Sequence, residues 1–376
     1  MRIGINTRFL IENKLEGIGW FTFESMKRIC KNHPEHDFYF FFDRAYSSAF
    51  IFSENVKPIV LFPPARHPLL YVWYFEFSIP RAIKKYNIDL FVSADGFIPT
   101  LYQTNSLAVI HDINFEHRPK DIPVLTRWYY KFFFPLFAKK SCRIATVSEF
   151  SKNDLINTYH VEPNKIDVVY NGANELYTPI SSEEKLSTRK KYAQGQQYFL
   201  YIGSLNPRKN IKNLLLAFDE FKKKNNKSGF KLILVGAAMH ANNYQNVYDN
   251  MQFKNDVIFC GRVDTNELHH LLASAYALTY VPFFEGFGIP VLESMYCHVP
   301  VITSNVTSLP EVVSDAAILV DPSNYMDIAD AMLRIVDDEA LYNDLVNKSI
   351  KRKEEFSWEK TANLLWKSIE LTLIKK

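Results

Sequence analysis

Short apolar runs rich in Val, Ile, Phe and Tyr alternate with helix-patterned segments along almost the whole chain, and this rhythm constrains the fold most. It predicts parallel strands joined by crossover helices, because a parallel pair needs a long return path between its strands. Two series are expected. The first comprises Arg2–Thr7, Phe38–Phe42, Ile59–Phe62, Ile88–Val92, Ala108–Ile110, Ile144–Val147 and Val168–Tyr170. The second comprises Phe199–Ile202, Lys231–Val235, Val257–Phe259, Ala277–Val281, Val299–Thr303 and Ala317–Val320. Between them the hydrophilic stretch Pro179–Gln197 breaks the rhythm and reads as a linker. At 376 residues the chain also exceeds one comfortable core. The expected class is α/β, with two Rossmann-like domains (residues 1–180 and 195–357) whose parallel sheets face across a cleft. Ligands of such sheets bind beyond the carboxyl ends of the strands.

Composition removes several function classes. A net charge of +3 is too small to argue for nucleic acid. Cys30, Cys142, Cys260 and Cys297 are widely spaced, without the pairing of a zinc or redox motif, and read as buried thiols in a reducing compartment. The start, MRIGINTRFL, lacks the apolar core of a signal peptide, and no run approaches the ~18 apolar residues that span a bilayer. A cytoplasmic protein is expected. Aromatic residues are unusually frequent, at 15%, and cluster in Tyr71–Phe77 and Arg127–Arg143. The latter segment reads either as a core helix with snorkelling lysines or as a surface that meets anionic lipid, and Pro135 interrupts it.

The richest chemistry lies in Tyr280–Pro310. A strand ends at Val281, turns through Glu285-Gly286-Phe287-Gly288 and enters a helix at Pro290. Proline suits a first helical position because its missing N–H has no intrahelical partner there. A glycine-flanked loop feeding a helix N-terminus suits an anion, since backbone N–H groups and the helix dipole both point outward. Two carboxylates, Glu285 and Glu293, flank this phosphate-friendly turn. They repel phosphate but accept hydrogen bonds from sugar hydroxyls. A diphosphate between two polyols describes a nucleotide sugar.

Other segments fit that ligand. Gly203–Asn210, GSLNPRKN, follows a strand and brings Arg208 and Lys209 to its carboxyl end, where they can neutralise a diphosphate. No D-x-D spacing supplies a metal bridge, so the basic pair stands in for magnesium and no metal or cofactor is expected. Gly17 and Gly19 precede a helix, as a φ > 0 turn or as a close backbone approach to a diphosphate. His111-Asp112 follows another strand, and Ser148 reads as a helix N-cap. Asp264 with Glu267 and Ser308 with Glu311 have capping-box spacing and a structural role.

With these residues the chain resembles the GT-B glycosyltransferases, in the large retaining family called family 4 or group 1. Glu285 and Glu293 match its E-x7-E motif, Arg208-Lys209 its basic pair, His111 its strand-end histidine, Gly17-Ile18-Gly19 its glycine loop, and Ser148–Ser151 a frequent segment. The likeness runs from Met1 to the Phe356–Trp358 region. The aromatic pair Trp20-Phe21 departs from the polar or basic residue common after the glycine loop, which bears on acceptor contact. The resemblance implies that Glu293 holds the ribose diol and Glu285 the donor sugar. It places Gly286, Phe287 and Gly288 with their backbone amides on sugar and phosphates, Arg208 and Lys209 on the diphosphate, and Arg262 and Val263 beside the base. His111 would lie near the reacting centre, with Asp112 and Ser148 on the acceptor side. The final helix, about 358–376, would pack back on the first domain.

The activity so implied is transfer with retained anomeric configuration by front-face attack, the departing phosphate taking the acceptor's proton. Overall similarity favours mannose from GDP-mannose, a glycan or polyprenyl-linked saccharide as acceptor, and surface-polysaccharide assembly with peripheral contact at the inner membrane. A UDP-sugar transferase, a sugar-nucleotide epimerase or hydrolase, and a catalytically silent partner in a glycan-assembly complex are the alternatives. An epimerase needs a base at C2, for which no candidate stands out; a silent relative would be expected to have lost Glu285, Arg208 or Lys209, all of which are present.

Overall fold

A computed structural model of the chain describes residues 1–224, 229–237 and 244–374. It divides into two compact units, Met1–Gly172 with Trp358–Lys376, and Ala173–Ser357. Each is an α/β unit around one parallel sheet.

The first sheet contains β1 (Arg2–Asn6), β2 (Asp37–Phe42), β3 (Val56–Val60), β4 (Leu90–Ser93), β5 (Ser106–Val109), β6 (Arg143–Thr146) and β7 (Ile166–Val168). Its order is β3-β2-β1-β4-β5-β6-β7, so the direction of winding reverses between β1 and β4. Phe38 to Phe42 are all buried, which is why β2 reads as an unbroken apolar run: helices cover both faces of a parallel sheet. β3 begins three residues earlier than the expected Ile59–Phe62, pairing Val56 with Phe38 and Val60 with Phe42. Pro58 lies inside it, tolerated because β3 is an edge strand.

The second sheet contains β8 (Gln197–Ile202), β9 (Phe230–Val235), β10 (Val257–Gly261), β11 (Ala277–Tyr280), β12 (Val301–Ser304) and β13 (Ile318–Val320). Its order is β10-β9-β8-β11-β12-β13, with the reversal between β8 and β11.

The stretch Pro179–Gln197, expected as a linker, contains the helix Ser182–Ala193 of the second unit. Ser181 and Glu184 close a reciprocal capping box there, and the helix packs on Thr265–Ser274. Its polar composition reflects a solvated outer face. The chain instead passes between units at Gly172–Ala173.

The C-terminal helix spans Trp358–Ile374; Lys375 and Lys376, the end of the expected 358–376 helix, lie outside the described residues. It packs on the helix Gly17–Asn32, with Trp366 stacked on His33 at 3.6 Å between ring centroids. Thr361 donates to the Tyr170 carbonyl at 2.6 Å. Cys30 and Cys297 are buried, Cys142 and Cys260 half-buried, and all four are free thiols.

One backbone crossing sets the loops of the second unit. Gly203 N–H donates to Val235 and Leu205 N–H to Ala237, which brings Gly236 against Gly203. Gly236 has φ +147°, and a Cβ there would lie 1.9 Å from the Gly203 carbonyl oxygen. Backbone cannot yield as a side chain can. Gly236→Ala is therefore expected to cost about 3 kcal/mol or more in equilibrium urea unfolding; a loss within the range of an ordinary surface change would show that the crossing is loose.

Candidate active site

In the second unit, strand-order reversal places the loops after β8 and β11 side by side, the position where open α/β sheets bind ligands. The first loop carries Arg208 and Lys209 on a single turn, Pro207–Lys209. Asn206 caps that turn by accepting from Lys209 N–H at 3.2 Å. Asn210 follows in the left-handed region and ties it down, donating to the carbonyls of Val281 (2.9 Å) and Pro322 (2.7 Å). The second loop carries Glu285.

The two loops close on one carboxylate oxygen. Arg208 Nη1 donates to Glu285 Oε1 at 2.9 Å and to the Phe284 carbonyl at 2.7 Å, and Lys209 Nζ meets the same Oε1. Lys209 also donates to the hydroxyl of buried Tyr280, against which Tyr201 stacks at 6.0 Å. Burial alone would push the Glu285 carboxyl up, but Lys209 and Arg208 outweigh it and hold the group below the usual carboxylate range. Two cations and one carboxylate leave a net positive charge at the strand ends. That charge suits a polyanion, and the acceptor oxygens of Glu285 suit hydroxyl groups.

Hydroxyls at the end of β12 fix the Glu285 backbone. Thr303 donates to the Tyr280 carbonyl (2.6 Å), Ser304 to Pro282 (2.7 Å) and Ser308 to Glu285 (2.9 Å), while Thr307 Oγ1 accepts from Glu285 N–H at 3.3 Å. The capping box expected for Ser308 and Glu311 is therefore absent. Ser308 is already in helical conformation, which aims its hydroxyl away from the helix's own N–H groups. At Asp264 the cap does form, accepting from Glu267 N–H at 2.9 Å.

The helix Ile289–Tyr296 starts one residue before Pro290 and carries no side-chain cap. Gly288, its N-cap, has φ +99°, a conformation open to glycine at little cost. Phe287 is buried with its ring 5.7 Å from that of Phe356. Glu293, one turn into the helix, is half-buried and hydrogen-bonded by the Tyr177 hydroxyl. Burial pushes its carboxyl up to about 8 despite that bond. The motif's two carboxylates are thus shifted in opposite directions by their surroundings. Arg262 is exposed and Val263 half-buried in the loop after β10, two strands beyond β8.

In the first unit, Gly17 and Gly19 fall inside the first turn of Gly17–Asn32, and neither has positive φ. The left-handed turn expected of them is not what they form. Gly19 is required by the Phe9 carbonyl, 2.9 Å from where a Cβ would lie; a Cβ on Gly17 would meet nothing. His111 Nε2 lies 2.9 Å from the Ala94 carbonyl, so this nitrogen carries the proton, and burial pushes the imidazole towards neutrality. Phe21 packs edge-on to the ring at 4.9 Å. Asp112 accepts from Asn114 N–H at 3.0 Å. Ser148 is buried and caps the helix Glu149–Tyr159 by accepting from Ser151 N–H at 3.0 Å; Ser151 in turn donates to the His111 carbonyl at 3.1 Å.

Sequence reasoning missed Tyr280, Asn210, Thr307 and Tyr177 in the second unit, and the buried pair Arg8–Asp95 in the first. Arg8 follows β1 and Asp95 follows β4, so they meet at the other strand-order reversal. Asn6 donates to Asp95 at 2.8 Å, and the Arg8 guanidinium lies 4.1 Å from the centre of the Phe97 ring. Position beside a switch point was the available signal.

A family model described as "Glycosyl transferases group 1" matches residues 182–352, and one described as "Glycosyltransferase Family 4" matches 24–175. O-antigen chain mannosyltransferase B of Escherichia coli is 29% identical over 373 residues, covering 93% of this chain and 94% of that protein. O-antigen chain mannosyltransferase RfbU of Salmonella typhimurium is 31% identical over 255 residues, covering 68% of this chain and 67% of the relative. Among solved structures, sucrose-phosphate synthase from Thermosynechococcus elongatus superposes with a TM-score of 0.80 at 16% identity, covering 100% of both chains.

The raised Glu293 carboxyl has a signature in stability. Below about pH 4.5 both folded and unfolded chains hold its proton; between there and about 8 only the folded chain does. Wild-type protein should therefore lose stability relative to Glu293→Gln as pH rises through that window. Parallel urea titrations at several pH values test it, and curves that keep a constant separation would contradict it.

Proposed function

This chain belongs to the glycosyltransferases of group 1 and family 4, and from that premise we propose that it moves mannose from GDP-mannose to a glycan or polyprenyl-linked saccharide during assembly of a bacterial surface polysaccharide. The names of the two mannosyltransferase relatives support the donor and the pathway class. The reading carries with it retention of configuration, independence of metal, and work in the cytoplasm at the inner face of the membrane.

The observation that carries the chemistry is the convergence of Arg208 and Lys209 on Glu285 at the β8/β11 reversal. Breaking the sugar C1–O bond leaves the electron pair on a nucleoside diphosphate and an oxocarbenium-like sugar. The two cations stabilise the charge growing on that diphosphate without a metal ion. As phosphate takes their charge, Glu285 becomes available to the sugar's hydroxyls. The acceptor oxygen then bonds C1 from the same face, and its proton passes to the departing phosphate. No covalent intermediate is assigned, because Glu285, once released by the cations, is committed to the sugar's hydroxyls. His111, neutral and donating Nε2–H to Ala94, offers Nδ1 as an acceptor for a sugar hydroxyl. Glu293 accepts the ribose diol, and Gly286 and Gly288 admit the ligand's backbone-facing edges. Arg262 and Val263 flank the base.

Thermal unfolding with GDP, UDP and ADP and their sugars, each with and without EDTA, tests this reading. A ligand at ~100-fold excess over its Kd should stabilise by ~2.7 kcal/mol. A GDP-selective, EDTA-insensitive shift is expected; a UDP preference would change the sugar, and no shift would favour a silent partner. Glu285→Gln should lower turnover about 100-fold or more while nucleoside diphosphate binds at least as well, since a charge that repels phosphate is gone. Unchanged turnover would remove Glu285 from the chemistry. Arg208→Ala should weaken both donor and free diphosphate.

A further inference from the structure

We propose that the first unit docks on an anionic lipid bilayer through one aromatic face built from two neighbouring helical segments. Among the described residues no helix is long and apolar enough to cross a membrane, so attachment would lie in the headgroup layer. The helix Val124–Lys140 buries Tyr129, Phe134 and Phe137, which answers the core reading of this segment. Its opposite side is a stripe at helical spacing in which Trp128 is 72% exposed and Phe132 66%. The helix Pro68–Trp73 packs beside it, Tyr71 against Tyr129 at 5.4 Å, and continues into the π-helical turn Tyr74–Ser78. This segment repeats the pattern, burying Tyr74 and Phe75 and exposing Leu69, Trp73 and Phe77.

The seam between the segments is built. Glu76, buried, accepts from Thr100 N–H (2.8 Å), from its hydroxyl (2.6 Å) and from Leu101 N–H (2.8 Å). Lys140 donates to the Thr100 carbonyl at 2.5 Å from the other side. These bonds hold Leu101 outward, 81% exposed. Ser78 likewise fixes the Phe62 carbonyl at 2.6 Å, with the Phe62 ring 80% exposed. Exposed apolar side chains gathered on neighbouring segments are the mark of a docking face.

Charge selects the occupant. From Ile122 to Ser148 there is no Asp or Glu, and from Lys57 to Asn87 Glu76 is the only one. Arg66, Arg81, Lys131 and Lys139 are exposed on these segments, with Glu116 reaching Lys131 only at 3.8 Å. Tryptophan beside lysine and arginine is the composition that meets a bilayer's headgroup layer, and the surplus of exposed cations selects anionic lipid. The face rests on the proposed reading that the enzyme works at a membrane, and it names the surface and the lipid charge that would place it there.

Co-sedimentation with phosphatidylglycerol and with phosphatidylcholine vesicles tests it. Binding to the former, weakened by salt, with a blue shift of tryptophan emission, is expected. Trp128→Ser with Phe132→Ser should lower partition on the order of tenfold per aromatic. Arg66→Glu with Lys139→Glu should erase the preference for phosphatidylglycerol. Both double variants should keep the wild-type melting temperature and nucleotide response. Absence of vesicle binding would overturn the proposal, as would a concentration-dependent dimer that the same substitutions dissolve.

Discussion

The chemistry proposed for the second unit depends on one buried ion cluster, Glu285 with Lys209 and Arg208. Burying three charges is costly, and their mutual attraction repays the desolvation only when geometry is held tightly. That requirement explains the density of bonds around it. Asn210 ties the basic loop to the end of β11, and the hydroxyls of Thr303, Ser304, Thr307 and Ser308 catch the backbone from Tyr280 to Glu285. With both loops fixed, one carboxylate serves two cations, and the surplus positive charge is preorganised before any anion arrives. Preorganised charge costs no reorganisation at the moment of reaction.

Each sheet places a cation–carboxylate pair at its strand-order reversal, and the two pairs do different work. Asp95 is saturated by Asn6, the Phe97 backbone and Arg8, whose guanidinium is enclosed by aromatic rings. That pair clamps β1 to β4. In the second unit a single oxygen of Glu285 holds two cations from a neighbouring loop, an arrangement that the proposed diphosphate would redistribute. Glu285 and Glu293, with seven residues between them, are likewise separated by environment: cations hold the first carboxyl below the usual range, and burial pushes the second above it.

How much of this was legible follows from which forces act locally. The strands were, because a doubly covered parallel strand is apolar along its whole length, as Phe38–Phe42 illustrates. Glu285, Arg208 and Lys209 stood out because strand-end loops with unusual charge are visible in sequence. The helix Ser182–Ala193 did not, since a solvated helix and a linker share polar composition, although the Ser181–Glu184 spacing was there to be read. Ser308 illustrates the opposite failure. Its spacing to Glu311 fits a cap, yet the partner it found, the Glu285 carbonyl, lies 23 residues away and is set by the pairing of β11 with β12. Arg8 and Asp95, 87 residues apart, are joined only by the sheet.

The aromatic segment Val124–Lys140 sharpens the point about amphipathicity. When both sides of a helix are apolar, periodicity cannot say which side is the core, and the sequence admits both a core helix and a lipid-facing helix. The fold removes the choice, because Tyr129, Phe134 and Phe137 satisfy the core and leave Trp128 and Phe132 with no packing duty. Apolar surface retained in water is neutral or costly for a soluble unit, and Glu76 is held rigid to maintain more of it at Leu101. Stability of the first unit therefore does not account for this face. The proposed lipid-anchored acceptor would, since confining the enzyme to the same surface raises the frequency with which the two meet.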